Sequence, residues 1–371
     1  MKDHLKEIGT GLKEELARIS DYIHDHPELG NQEHQAVAIL TGFLKEHGFS
    51  VKVPVAGIPT AFEAIYDSHK PGPAIAFLAE YDALPEIGHG CGHNMIGTMS
   101  CGAGVILSKV LDQTGGRIHI FGTPAEETDG AKVAMAQQGL FDGMAAAMMV
   151  HPSGYTTASG TSLAMEALQF DYYGQTSHAA SSPEKGINAL NAVIQLFNGI
   201  DAMRQHVQSD TRIHGIISKG GVAANIVPDE AQARFYIRAA TKEYLAVVKE
   251  KVLKIAEGAA LMTGATLSIS NYELSYDDLK TDAELSNLFN ENLKLLGIPN
   301  ILPPAKSTGS VDMGNVSNIV PAIHPYIGIA DAPLNGHSTE LAAATLTDFA
   351  HERLLIGALA LAFTGWDVLS R

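Results

Sequence analysis

An α/β fold is what this sequence predicts: a mostly parallel sheet flanked by helices, interrupted by an inserted ferredoxin-like (βαββαβ) unit. Three observations carry that expectation. The runs Ala74–Ala79 and Ala145–Val150 are continuously apolar, as strands buried on both faces are. Strand-like and helical patterns alternate through the first 150 or so residues, the order that builds a parallel sheet. From 166 to 272 the order becomes strand, helix, strand, strand, helix, strand, which is the ferredoxin-like motif. At 371 residues the chain exceeds the size at which one core stays undivided, so two domains are expected: 1–165 with 273–371, and 166–272.

Taken in order, residues 3 to about 25 and Glu33 to about His47 read as helices, the second capped by Asn31. His26-Pro27-Glu28-Leu29-Gly30 between them is a turn, which makes its histidine structural. Short strands near 50–55 and 60–66 precede the strand 74–79, a glycine loop, a small-residue helix near 94–112 and a strand from Arg117 to Phe121. Inside the insert, strands are expected at 168–173, 211–218, 230–238 and 266–270, and helices at 186–207 and 241–263. A long helix over about 340–364, capped by Thr339, closes the chain.

Composition excludes several function classes. The formal charge of −16, from 41 acidic against 25 basic residues, disfavours nucleic-acid and anionic-membrane partners. Apolar residues make up 46%, yet no run approaches the roughly 20 needed to span a bilayer. The start, Met1 to Lys6, is charged and amphipathic rather than an apolar signal core, so cytoplasmic residence is expected. Two cysteines, Cys91 and Cys101, cannot form a disulfide framework.

Chemistry concentrates where apolar strands end. Gly88-His89-Gly90-Cys91-Gly92-His93-Asn94 sets a thiol and two imidazoles among glycines just beyond Glu80-Tyr81-Asp82. Pro124-Ala125-Glu126-Glu127 places adjacent carboxylates at a strand end, where one can hold a metal while the other faces water. His151 follows the run 145–150, and His337 lies in the loop Asn335-Gly336-His337-Ser338. Each feature alone has an ordinary reading, as a buried thiol, a solvated acidic turn or a surface histidine. Together they offer Cys91, His93, Glu127, His151 and His337, a mixed N, S and O set that suits zinc, manganese or nickel better than calcium or magnesium. Five ligands exceed the needs of one tetrahedral ion and suit a pair of divalent ions.

These residues, with Ala79-Glu80-Tyr81-Asp82-Ala83-Leu84-Pro85, Gly174-Gln175-Thr176-Ser177-His178-Ala179 and Asn225-Ile226-Val227-Pro228, resemble the M20 metallopeptidases in their amidohydrolase branch, the aminoacylase-1-like and aminobenzoyl-glutamate hydrolase group. The likeness covers nearly the whole chain. It implies that Cys91, His93, Glu127, His151 and His337 hold two metals, zinc or manganese foremost with nickel as an alternative. By the same resemblance Glu126 is the general base and acid, and Asp82 orients a ligand histidine. The insert is implied to be a lid that mediates homodimerisation, with His178 polarising the scissile carbonyl, Asn225 touching substrate and Arg238 binding its carboxylate. Glu80 stands where many members carry a ligand histidine, and it stays outside the ligand set. His89 is read as structural or as support for a ligand. The segment 307–315, rich in turn formers, is expected to shape the pocket.

The expected activity is metal-assisted hydrolysis of a small amide bearing a free carboxylate: a dipeptide, an N-acyl amino acid or an aminobenzoyl-glutamate. Two other classes stay open at this point, a metal-free thiol hydrolase using Cys91 and a non-catalytic scaffold that keeps the fold.

Overall fold

The computed structural model describes residues 1–304, 309–331 and 333–371. The chain divides into two compact units, Met1–Ser162 with Leu279–Arg371, and Leu163–Asp278.

The first unit opens with the helices Lys2–Asp25 and His34–Glu46. Asn31 does not cap the second; it sits in the left-handed region at φ 64°, and Glu33 occupies the cap position without a side-chain bond. The orphan N–H groups of Gln35 and Ala36 go instead to the Glu28 carboxylate, at 2.8 and 3.1 Å. Strands β1 (Ser50–Lys52), β2 (Phe62–Asp67), β3 (Ala74–Ala79), β4 (Arg117–Gly122), β5 (Ala146–Met148) and β6 (His151–Ser153) follow, with the helix His93–Ser108 between β3 and β4.

The second unit runs β7 (Ala164–Tyr173), helix Ala189–Met203, β8 (Arg212–Lys219), β9 (Glu230–Ala239), helix Lys242–Thr263 and β10 (Thr266–Asn271). Its four strands pair antiparallel in the order β10-β7-β9-β8. Residues alternate in burial along β9, and the inward set, with Phe170, Leu196, Phe235 and Val248, forms this unit's own core. Asn188 and Thr241 cap its helices by accepting from Asn191 N and Tyr244 N.

Back in the first unit, β11 (Ala322–Ile323) and β12 (Tyr326–Gly328) complete the strands. The main sheet has the order β1-β2-β4-β3-β5-β11. Its strands β4, β3, β5 and β11 are mutually parallel, while β1 and β2 join antiparallel at one edge, so the sheet is mixed rather than wholly parallel. The C-terminal pattern is two helices: Thr339–Ala344, capped by Ser338 rather than Thr339, and Asp348–Leu369, capped by Thr347 accepting from Ala350 N. The helix His93–Ser108 is buried along its entire length and packs against Lys2–Asp25 and Asp348–Leu369. Small residues make this close approach feasible: a Cβ on Gly357 would meet Met99 Sδ at 2.3 Å.

Candidate metal centre

Backbone geometry at the ends of β3, β4 and β5 sets the site. Gly92, at φ 77°, caps the helix that begins at His93, and a Cβ there would stand 2.4 Å from Pro152 Cγ. That contact brings the glycine loop against the chain leaving β5, so Cys91 Sγ lies 3.5 Å from His151 Nε2. The loop carrying His337 is tied in by its own N–H, which donates to Gly90 O at 3.0 Å.

After β4, Ala125 is fully buried in the left-handed region at φ 59°, a conformation that costs a non-glycine residue about 1–2 kcal/mol. It is held there by the buried Glu33 carboxylate, which accepts Ala125 N–H at 2.9 Å. Gly30 presses on the same turn, because a Cβ on it would sit 2.9 Å from Ala125 Cβ. The turn His26–Gly30 thus fixes the turn that presents Glu126 and Glu127. His26 itself is exposed and stacks on Tyr22.

Three overlapping clusters result: Cys91, His93 and His151; Cys91, Glu127 and His337; His93, Glu126 and Glu127. Within each, one potential ligand atom per residue lies within 4.8 Å of the others. His337 Nε2 is 3.2 Å from Glu127 Oε1, and His93 Nε2 is 3.9 Å from it. His93 Nε2 and Glu127 Oε1 are both buried and make no hydrogen bond. Buried polar atoms without a hydrogen bond are rare in native proteins, and these two, 3.9 Å apart, are placed to share a cation. The donor set of imidazole, thiol and carboxylate fits a transition metal or zinc.

Asp82 holds this arrangement from behind. Its Oδ1 lies 2.9 Å from His93 Nδ1 and its Oδ2 accepts Glu127 N–H at 3.0 Å. With Nδ1 engaged, only Nε2 of His93 is left to face the cluster. His89 is buried away from it, Nε2 on Ile23 O at 3.0 Å, and packs rather than ligates.

Electrostatics follow from burial and these neighbours. Burial pushes the Cys91 thiol up to about 12 and holds His151 down at about 3, the latter helped by His324 and His93. Burial opposes protonation of His93, but the Asp82 carboxylate and Cys91 together outweigh it and keep the imidazole well above its ordinary range. Glu126 is pushed well above the usual carboxylate range, first by burial and then by Glu80 and Asp312.

In the second unit, His178 and Asn225 come together. Ala179 N donates to Asn225 O at 3.0 Å, and the exposed His178 accepts from Ala180 N and Ser181 N through Nδ1, each at 3.2 Å. Arg238 lies elsewhere in that unit. It sits opposite Met165 near the far end of β9, with its guanidinium 5.8 Å from the Tyr236 ring centroid. The nine residues from Glu230 to Arg238 span about 27 Å of extended strand.

Comparison with known proteins places this architecture. Residues 167–262 match the model described as a peptidase dimerisation domain. The Xaa-Arg dipeptidase of Mus musculus is 36% identical over 376 residues, covering 96% of this chain and 86% of that protein. This chain belongs to the M20 metallopeptidase family. A p-aminobenzoyl-glutamate hydrolase chain of Escherichia coli K12 is 34% identical over 76% of this M20 chain and 62% of its own. Among solved structures, a Bacillus subtilis dinuclear metal-binding M20 peptidase superposes with a TM-score of 0.67 at 20% identity, covering 94% of this chain and 98% of that one.

Three side chains of this M20 chain that the motifs do not include border the centre. The fully buried Lys132 ammonium bridges Glu80 Oε1 and Asp312 Oδ1, each at 2.6 Å. Burial disfavours the Glu80 anion, yet Lys132 overcomes this and holds the carboxyl down at about 2, while burial pushes Asp312 up to about 6. The other Glu80 oxygen is 3.5 Å from His93 Nε2. Glu80 is therefore committed to Lys132 and borders the ligand cluster. His324 and Tyr326 complete the set, their ring centroids 5.5 and 5.2 Å from that of His151. A signal for His324 did exist: Ile323-His324-Pro325 repeats the apolar-His-Pro ending of Val150-His151-Pro152, on the neighbouring parallel strand. Of the segment 307–315, Ser307 and Thr308 lie outside the described residues.

Proposed function

We propose that this M20 amide hydrolase acts on a small amide ending in a free carboxylate, with Cys91, His93, Glu127, His151 and His337 holding two divalent ions. The observation that carries this reading is the pair of buried, unbonded atoms His93 Nε2 and Glu127 Oε1 inside overlapping ligand clusters. Zinc or manganese suits that donor set, with nickel as the alternative. Such ions, when bound, supply Lewis acidity that activates water and polarises the scissile carbonyl.

The chain's own residues do the rest. Glu126 is half-buried beside Glu127, and a carboxyl whose proton affinity is raised by burial and neighbouring carboxylates is suited to take a proton from the attacking water and return it to the leaving amine. Asp82 fixes the His93 tautomer. His178 donates to the developing oxyanion, Asn225 contacts substrate, and Arg238 pairs its carboxylate through a planar two-donor fork. The second unit serves as lid and homodimer contact, and the working compartment is the cytoplasm. The relatives act on Xaa-Arg dipeptides and p-aminobenzoyl-glutamate, both carboxylate-terminated amides, which supports the substrate class.

A metal-free thiol mechanism is disfavoured because burial keeps the Cys91 thiol protonated. The test is metal content and turnover of dipeptides, N-acyl amino acids and aminobenzoyl-glutamate, measured on one sample. About two ions per chain and chelator-sensitive turnover are expected. Turnover that survives full metal removal and disappears in Cys91→Ser overturns the reading.

A further inference from the structure

We infer that a cavity beside His151 is the subsite for the acyl side of the substrate, and that it selects an uncharged, ring-sized acyl group. The inference rests on the amide-hydrolase reading above and says which half of the amide goes where.

The cavity lies within the first unit and holds about 330 Å³. Tyr155, Thr157, Leu279, Val311, His324 and Tyr326 form most of its wall. It adjoins the candidate centre directly, because His324 and Tyr326 line it and also stand against the His151 ring. An acyl group attached to a carbonyl at the metal ligands therefore has this space next to it. Size agrees: a cavity of about 150 Å³ accepts benzene, so this one holds a substituted ring.

Charge decides which half of the substrate enters. Among the described lining residues there is no Asp, Glu, Lys or Arg. A carboxylate or a guanidinium moved into such a space loses its hydration and gains no counter-charge. The carboxylate-bearing amine half is excluded, which leaves the acyl half. The threonine and serine hydroxyls of the wall satisfy a neutral polar substituent such as an aryl amine.

The test uses the metal-loaded full chain and four glutamates that differ only in the acyl group: acetyl, benzoyl, 4-carboxybenzoyl and 4-guanidinobenzoyl. Wild-type kcat/KM for benzoyl should exceed both charged analogues by about tenfold or more. Thr161 is an exposed lining residue, so it can be replaced without disturbing the core. Thr161→Phe should raise KM for benzoyl-glutamate about tenfold and leave acetyl-glutamate within about twofold. Thr161→Asp should reverse the preference between benzoyl and 4-guanidinobenzoyl by about tenfold. Titrating the uncleaved substrates into Glu126→Gln should give the same order of dissociation constants. No discrimination among the benzoyl series, or equal losses on acetyl and benzoyl substrates in Thr161→Phe, overturns the subsite while the hydrolase reading stands. Failure of the metal-loaded wild type on all four, while a dipeptide is cleaved, overturns the subsite and leaves the hydrolase reading standing; failure on dipeptides as well removes both.

Discussion

Asp82 and His93 are locked together at 2.9 Å between Oδ1 and Nδ1, both fully buried, and the same carboxylate also takes the Glu127 N–H. One side chain thereby sets the aim of two candidate ligands. Asp82→Asn keeps the shape but cannot accept from both donors as a carboxylate does. Metal affinity should fall about 10- to 100-fold, with turnover recovering at saturating metal. Unchanged affinity in a metal titration of the variant would detach Asp82 from the site.

Glu126→Ala should abolish turnover, a loss of about 10²- to 10⁴-fold, while metal content stays near wild type. Elemental analysis and kinetics on the same preparation decide the matter. Loss of both ions would mean that the roles of Glu126 and Glu127 are exchanged.

Metal uptake should release protons and strengthen as pH rises. In the metal-free chain burial pushes the Cys91 thiol up to about 12, and Asp82 and Cys91 raise the His93 imidazole against the effect of its burial. Each must lose its proton to ligate, so both raised values oppose binding at low pH, and the opposition fades as pH approaches them. Calorimetric titration in buffers of different ionisation enthalpy should detect the release, and an affinity that is flat from pH 6 to 8 would contradict it.

Lys132→Met leaves Glu80 and Asp312 buried without their shared cation, and should destabilise the chain by about 3–5 kcal/mol in urea unfolding. Adding Asp312→Asn to that variant removes one of the stranded charges and should recover part of the loss. A destabilisation below about 1 kcal/mol would show the bridge to be energetically idle.

If the second units join two chains, we propose that His178 serves the metal pair of the partner chain. His178→Ala and Glu126→Ala chains, each inactive alone, should form a mixed dimer with about half of wild-type activity. A verified mixed dimer without activity would place His178 within its own chain or outside the chemistry.

Much was legible because local rules and global fold agree. The uninterrupted apolar runs of β3 and β5 forecast buried parallel neighbours, and the ligand types at the strand ends forecast a metal centre. Caps were less legible. Asn31 looks like a cap by residue type, yet Glu28 reaches the same N–H groups from three residues further back. The C-terminal apolar pattern hides the break at Thr345–Thr347, where a second cap starts a new helix.

By itself the sequence determined which side chains gather at the carboxyl ends of the strands, because strand and helix periods dictate where each apolar run must stop. It also determined that the chain carries no excess positive charge for an anionic partner. Only the tertiary structure decided how those side chains are held: Asp82 behind His93, Glu33 and Gly30 on Ala125, and Lys132 between Glu80 and Asp312. These contacts join residues up to 180 positions apart. Their energies arise from burial and desolvation, which exist only once the chain has closed around them, and no local pattern records them.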